Sequence, residues 1–385
     1  MSVLYFDHAA STPPYEEVIQ TVAEVMRTYY GNPSSLHHAG ASAEKLVKQA
    51  SSVIASAWDI DPDCLIYTSG GSESNNMAIF GVVRAFSNRG KHLITSRIEH
   101  PSVYECFRML EHEGYEVTYL EPDESGAVRA SDVEAALRDD TILVSVMHVN
   151  NETGRIQPIH QIGQLLASRP KTLFHVDAVQ AAGKLPLGPA ALGVDLMSVS
   201  AHKLNGPRGI GLLYVRRGLR IAPFVYGGGQ QYGLRSGTEN VPLIVGMAKA
   251  IRMNKDKQHE SSEHLYRLRA KLCDQLLDIG KQVVLTGGTT RYDMAPHIVH
   301  FRTPGLRAEV FLHELERRGC LVSSQSACSS GANTPSRVLQ AMGLSDEEAS
   351  CGVRISMSSE QTEHDIAILA DAIRQTITQL WQWME

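Results

Sequence analysis

Apolar positions in the first two-thirds of the chain follow two alternating rhythms. Short runs rich in apolar and β-branched residues fall at 65–68, 92–96, 116–120, 142–148, 172–177, 196–200 and 211–215, as expected of strands covered on both faces. Between several of them, apolar residues recur three and four apart at 73–86, 101–113, 130–138 and 159–168, which predicts amphipathic helices. Parallel neighbours need a crossover, so this βαβ alternation predicts an α/β fold: a mainly parallel, seven-stranded sheet flanked by helices on both faces. Ligands of such sheets bind beyond the carboxyl ends of the strands.

The rhythm changes near residue 250. A charged helical stretch at 256–276 leads to the strand-like runs VVLTGG (283–288), HIVHFRT (297–303), GCLVSSQ (319–325) and GVRISMS (352–358), then to a closing helix at 362–383. This predicts a smaller C-terminal α+β domain. A chain of 385 residues is long enough for two cores. The expected division is a large domain over 16–250 and a small one made of 1–15 with 251–385.

Charge and composition narrow the function classes. The formal net charge is −6 and the basic residues are dispersed, so no direct nucleic acid binding is expected. The start, MSVLYFDHAAST, has neither a basic stretch nor a long apolar run, and no segment has the length of a membrane span, which predicts a cytoplasmic protein. Six cysteines are too sparse for a disulfide framework and show no zinc-ligand spacing, so free thiols and no metal are expected.

Candidate chemistry gathers at strand ends. In SVSAHKLNGPRGIG (198–211), Lys203 leaves a strand just before a Gly-Pro break. A lysine amine held neutral is a nucleophile toward carbonyls, and its commonest such use is with pyridoxal phosphate. YTSGGSESNN (67–76) puts Gly70, Gly71 and Ser72 between a strand and a helix, a phosphate cradle without a nucleotide signature. Asp177 in FHVDAVQ (174–180) suits either a helix N-cap or a cationic partner such as a pyridinium nitrogen. MHVNNETG (147–154) and Gln180 offer amides for a phenolic oxygen or an Asx turn, and His100 in RIEHPSV offers an imidazole for stacking or proton movement. Cys328, among the small residues of SSQSACSSG (323–331), is a nucleophile only as its thiolate. Arg354 in GVRIS suits a substrate carboxylate or a salt bridge.

These motifs, in this order and together with YFDHAASTP, GNPSSLHHAG and RSGTEN, resemble the cysteine desulfurases, class V aminotransferase-like, fold-type I pyridoxal phosphate enzymes. The resemblance implies that L-cysteine becomes L-alanine while its sulfur passes to the enzyme as a persulfide, and from there to an acceptor protein. Such acceptors serve iron–sulfur cluster assembly, tRNA thiolation or DNA phosphorothioation; the alternative is a selenocysteine lyase or another enzyme of the same fold. Carried over, Lys203 is the Schiff-base lysine, Asp177 the partner of the pyridine nitrogen, and Asn151 and Gln180 the ligands of the phenolic oxygen. His100 stacks on the ring and is a second candidate for moving protons. Gly71, Ser72, Ser200 and His202 hold the phosphate, joined by Thr238 from the other subunit of a homodimer. Arg354, with Asn151, binds the substrate, and Cys328 is the nucleophile. Asn32 and His37 match a family signature without a derivable role. Gln325 and Ala201 stand where the family often has glycine, and SMSSEQT follows Arg354 where SLGRFTT is common.

Overall fold

The computed structural model describes residues 3–288, 290–325 and 334–382. Strand β1 (Leu4–Tyr5) and helices α1 (Glu16–Thr28) and α2 (His38–Trp58) precede β2 (Leu65–Thr68) and α3 (Gly71–Phe86). There follow β3 (His92–Ser96), α4 (Pro101–His112), β4 (Glu116–Leu120), α5 (Ala130–Ala136), β5 (Thr141–Ser145), α6 (Ile159–Leu166), β6 (Leu173–Asp177), β7 (Leu196–Ser200) and β8 (Gly211–Val215). Helix α7 (Val241–Leu277) then leads to β9 (Val284–Leu285), β10 (Ile298–Arg302), α8 (Ala308–Arg317), β11 (Cys320–Leu321), α9 (Arg337–Ala341), α10 (Asp346–Ala349), β12 (Gly352–Ser356) and α11 (Glu363–Gln382).

The large sheet has seven strands in the order β2-β8-β7-β6-β5-β3-β4. Strand β8 runs antiparallel to both its neighbours and every other pair is parallel. Side chains alternate between faces with the period of two that strands impose. Ile66, Leu93, Leu143, Leu196 and Leu213 pack with α3 and α4. Their neighbours Leu65, Ile94, Val144, Met197 and Leu212 pack on the opposite face in a core shared with α2 and α6. Burial on both faces explains why the strands read as apolar runs.

A third core joins Phe6, Leu265, Leu272, Phe301, Phe311, Val353 and Ile373, behind the antiparallel sheet β12-β10-β9. This is the smaller C-terminal domain. Strand β1 pairs in parallel with β11, and Asp7 bridges Ser356, so the chain's first residues lie against its last third. Helix α7 contributes Ile244 to Ile251 to the core under the large sheet and Leu265 to Leu276 to the other.

The differences from expectation have physical reasons. Helix α2 buries a face made largely of small residues, Ala43, Ala50 and Ala55 among them, so its apolar rhythm is faint. Helix α7 starts fifteen residues before the charged stretch, capped by Asn240 Oδ1, which accepts from Leu243 N at 3.2 Å. Strand β5 ends at Ser145 instead of 148. Beyond that point the Met147 N–H is taken by the Glu99 side chain at 3.0 Å, where the ladder would need another strand.

Candidate active site

A cavity of about 280 Å³ opens at the carboxyl ends of the parallel strands. Lys203, Asp177, His100, Asn151, Gln180, Arg354, Ser200, His202, Gly71 and Ser72 all line it. Ten of the predicted residues thus come from separate elements to one place. Two do not. Thr238 is exposed at the surface of its own chain and absent from the cavity wall, and Cys328 lies outside the described residues.

Lys203 ends the turn Ala201–Lys203 after β7, and its Nζ donates to the carbonyls of Ala9 (2.6 Å) and Ala10 (2.7 Å). Asp177 closes β6. Its Oδ1 accepts from Val179 N (3.0 Å) and its Oδ2 from Asn75 Nδ2 (2.8 Å). No helix follows β6, so Asp177 is not the helix N-cap that the sequence offered as one of its two roles; its carboxylate holds a local turn at Val179 instead and also faces the cavity. With about two acceptor positions on each oxygen, it retains capacity for a further donor.

Asn75 and Ser102 were missed by the sequence reading. Asn75 Nδ2 also donates to Ser102 Oγ (2.9 Å), which lies 2.8 Å from His100 Nδ1, so Asp177 and His100 are linked through two neutral side chains. The signal for Asn75 was its spacing: four residues after Gly71 places both on one helix face. His100 caps α4, its Nδ1 accepting from Ser102 N at 3.2 Å, which puts the proton of the neutral ring on Nε2. Burial lowers its pKa; Lys203 and Arg337 add to this, and the Asp177 charge opposes. His202 is pushed down to about 4, by burial first and then by Lys203 and Arg208.

Helix α3 begins at Gly71, and Gly70 before it provides no side-chain cap. Its first N–H groups are thus left to an anion, favoured also by the helix dipole. A Cβ on Gly71 would stand 2.7 Å from Val179 Cγ2, and one on Gly211 would stand 2.5 Å from Gly70 Cα. At 211 glycine lets β8 approach the backbone of the cradle, and at 71 it leaves room for the Val179 side chain.

Arg354, 1% exposed, sits mid-strand in β12. It donates from Nη1 to Asn151 O (2.8 Å) and pairs from Nη2 with Asp7 Oδ1 (2.9 Å). Its Nε is buried without a hydrogen-bond partner among the described residues. Gln180 spans Ala9 O, to which its Nε2 donates at 2.9 Å, and His297 Nε2, 3.4 Å from its Oε1. Asn32 and His37 serve locally: Asn32 Oδ1 accepts from Ser34 N (3.0 Å), and His37 Nδ1 caps α2 through Gly40 N (3.2 Å).

These donors fit pyridoxal phosphate. A glycine cradle with hydroxyls suits its phosphate, a carboxylate its ring nitrogen, and the apolar walls of Met147 and Val179 its ring. Two buried polar atoms on the wall, Asn75 Oδ1 and Arg354 Nε, have no hydrogen-bond partner among the described residues. Among the described residues no cluster of His, Cys, Asp or Glu could hold a metal.

Comparison with known proteins agrees. The family described as aminotransferase class-V matches residues 4–369, and the chain belongs to that family, whose relatives here are pyridoxal phosphate-dependent enzymes. Within it, the chain is 43% identical over 386 residues to the cysteine desulfurase IscS of Photorhabdus laumondii subsp. laumondii, covering 98% of this chain and 93% of that one. Among solved structures, a NifS-like protein superposes with a TM-score of 0.91 at 34% identity, over 98% of this chain and 99% of that one. Another, SspA in complex with cysteine, gives 0.81 at 35%, over 92% and 99%.

Proposed function

We propose that this protein is a cysteine desulfurase whose cavity holds pyridoxal phosphate and L-cysteine, and whose Cys328 thiol receives the sulfur. The observation that carries this reading is the convergence of Lys203, Asp177 and Arg354, from three separate elements, on one cavity. When bound, the cofactor supplies an electron-withdrawing ring that takes up the electron pair left at the substrate Cα. Lys203 holds the cofactor covalently and moves the Cα proton, with His100 as a second carrier. Asp177 is the ring nitrogen's partner, and Asn151 and Gln180 serve the phenolic oxygen. Gly71, Ser72, Ser200 and His202 hold the phosphate together with the partner subunit's Thr238, in a homodimer. The Arg354 guanidinium binds the substrate carboxylate, with Asn151 beside it.

The Cys328 thiolate attacks the substrate sulfur. An S–S bond forms, the C–S bond breaks, and the electron pair and proton return to carbon, so enzyme thiol and cysteine give enzyme persulfide and alanine. The five described cysteines are poor candidates for this step. All are buried, and burial pushes their thiols up, Cys106 to about 12; a low-pKa thiolate is what the attack needs.

The division into 16–250 and 1–15 with 251–385 is supported by the pairing of β1 with β11. No helix among the described residues is long and apolar enough to cross a membrane, in keeping with work in the cytoplasm. The persulfide sulfur goes to an acceptor protein of iron–sulfur assembly, tRNA thiolation or DNA phosphorothioation, and labelled sulfur followed from Cys328 separates the three. The central test is Cys328→Ser. The variant should bind cofactor like the parent and lose persulfide formation and alanine release; wild-type alanine production would remove Cys328 from the mechanism.

A further inference from the structure

Lys203 lies between two residues held by the same side chain. The Thr12 hydroxyl donates to His202 O at 2.8 Å and accepts from Asn205 N at 2.8 Å, while Thr12 N donates to His202 O, also at 2.8 Å. Thr12 is 3% exposed, so nothing in solvent can replace these bonds. Only a hydroxyl can donate on one side and accept on the other with so short a side chain.

Asn205 makes the arrangement more specific. Its φ is 58°, in the left-handed region where a side chain other than glycine is strained. In this conformation its N–H meets Thr12 Oγ1, its Nδ2 donates to Pro13 O (2.9 Å), and its carbonyl accepts from Tyr15 N (3.1 Å). The Lys203 amine turns back to the same stretch of chain, at Ala9 O and Ala10 O. That stretch is fixed in turn to β12, where Ala9 N donates to Ser356 Oγ at 2.8 Å and Asp7 pairs with Arg354. Backbone and amine of the lysine are therefore both referred to residues 9–15.

We propose that Thr12 is a positioning residue for Lys203: by bonding His202 O and Asn205 N–H at once, its hydroxyl fixes the loop from which the lysine amine reaches the cavity. A lysine stem has four rotatable bonds, so a loop that shifts leaves the amine without a defined place. Misplacement by about 1 Å is enough to cost roughly a hundredfold in rate. The proposal rests on Lys203 being the cofactor lysine, and its test includes a readout that does not depend on that reading.

Thr12→Val keeps the shape and removes the hydroxyl; Thr12→Ser keeps the hydroxyl. In cofactor-free protein, competitive labelling with acetic anhydride followed by peptide mass spectrometry reports how well the Lys203 amine is held. Thr12→Val should raise Lys203 labelling about fivefold relative to exposed lysines of the same sample, the scale of one lost hydrogen bond. In the loaded enzyme kcat should fall about tenfold with KM for cysteine changed less than about twofold, as for lost placement of a reacting group. Thr12→Ser should restore both. A folded Thr12→Val protein with wild-type labelling and kcat would overturn the proposal, as would a Thr12→Ser variant no better than Thr12→Val. Wild-type protein gives a check independent of any variant's folding: the Asn205 amide should exchange with deuterium as slowly as the β7 amides, and exchange at the rate of an open loop would overturn the clasp. Labelling altered as expected in an enzyme that proves inactive on cysteine would uphold the clasp and reject the proposed function.

Discussion

Two buried ionisable groups, Arg354 and Glu99, show at the scale of single residues what burial demands of a charge. Arg354 is 1% exposed and is matched by Asp7 and a carbonyl, which offsets a desolvation cost that an unpaired cation would not survive. Lysine cannot reproduce its planar fork, so Arg354→Lys should raise KM for cysteine about tenfold or more, with kcat less affected; steady-state kinetics across a cysteine series reads this directly. Glu99, also 1% exposed, is pushed up from 4.5 to about 8 by burial, with the Asp177 charge adding and bonds from Ser96 and Met147 opposing. The folded chain keeps a proton there that the unfolded chain releases. Its stabilising contribution is therefore full below pH 4.5 and is lost as pH rises to 8. Buried histidines act the other way: His148, at about 4, and His175 and His300, at about 3, give stability that is full above 6.5 and lost in acid. Glu99→Gln isolates the first effect. In urea unfolding between pH 5 and 8 the variant should gain on the wild type as pH rises, and parallel curves would rule Glu99 out as the source.

At the scale of elements, the site depends on how closely a strand meets a helix end. Strand β8 enters the sheet antiparallel and brings Gly211 against the backbone of Gly70, one residue before α3. A methyl group at 211 has backbone, not a flexible side chain, in its way. Gly211→Ala should cost about 1–3 kcal/mol of stability, as overpacking does. It should also weaken cofactor binding by about tenfold or more, since the N–H groups that α3 offers an anion are displaced. Calorimetry and cofactor titration of the same preparation measure both, and a stable variant with unchanged affinity would show that the cradle tolerates the shift.

For the whole molecule, the question is whether each site is shared between two chains. Thr238 is exposed and does not line the cavity of its own chain, as expected if it serves the partner's phosphate. Lys203→Ala and Thr238→Ala variants should each be impaired alone. Unfolded together and refolded as a mixture, they form hybrids with one intact site, so about a quarter of wild-type activity should return by random pairing in a two-fold dimer. No recovery would place Thr238 outside the partner's site.

The strands of the large sheet are legible in the sequence, because burial on both faces writes an unbroken apolar run, and so is the family, because ten motifs in one order fit one cofactor. The sequence also singled out Lys203, Asp177 and Arg354, whose types are costly at strand ends or mid-strand without a task and which the fold brings to one cavity. Their partners come from the folding of distant segments against one another. Asn75, Ser102 and Thr12 are small polar residues whose meaning comes from what stands opposite, 102 residues away for Asn75 and Asp177 and 193 for Thr12 and Asn205. No local pattern encodes such pairings. They arise where the packing of one element against another leaves a buried polar group that must be satisfied.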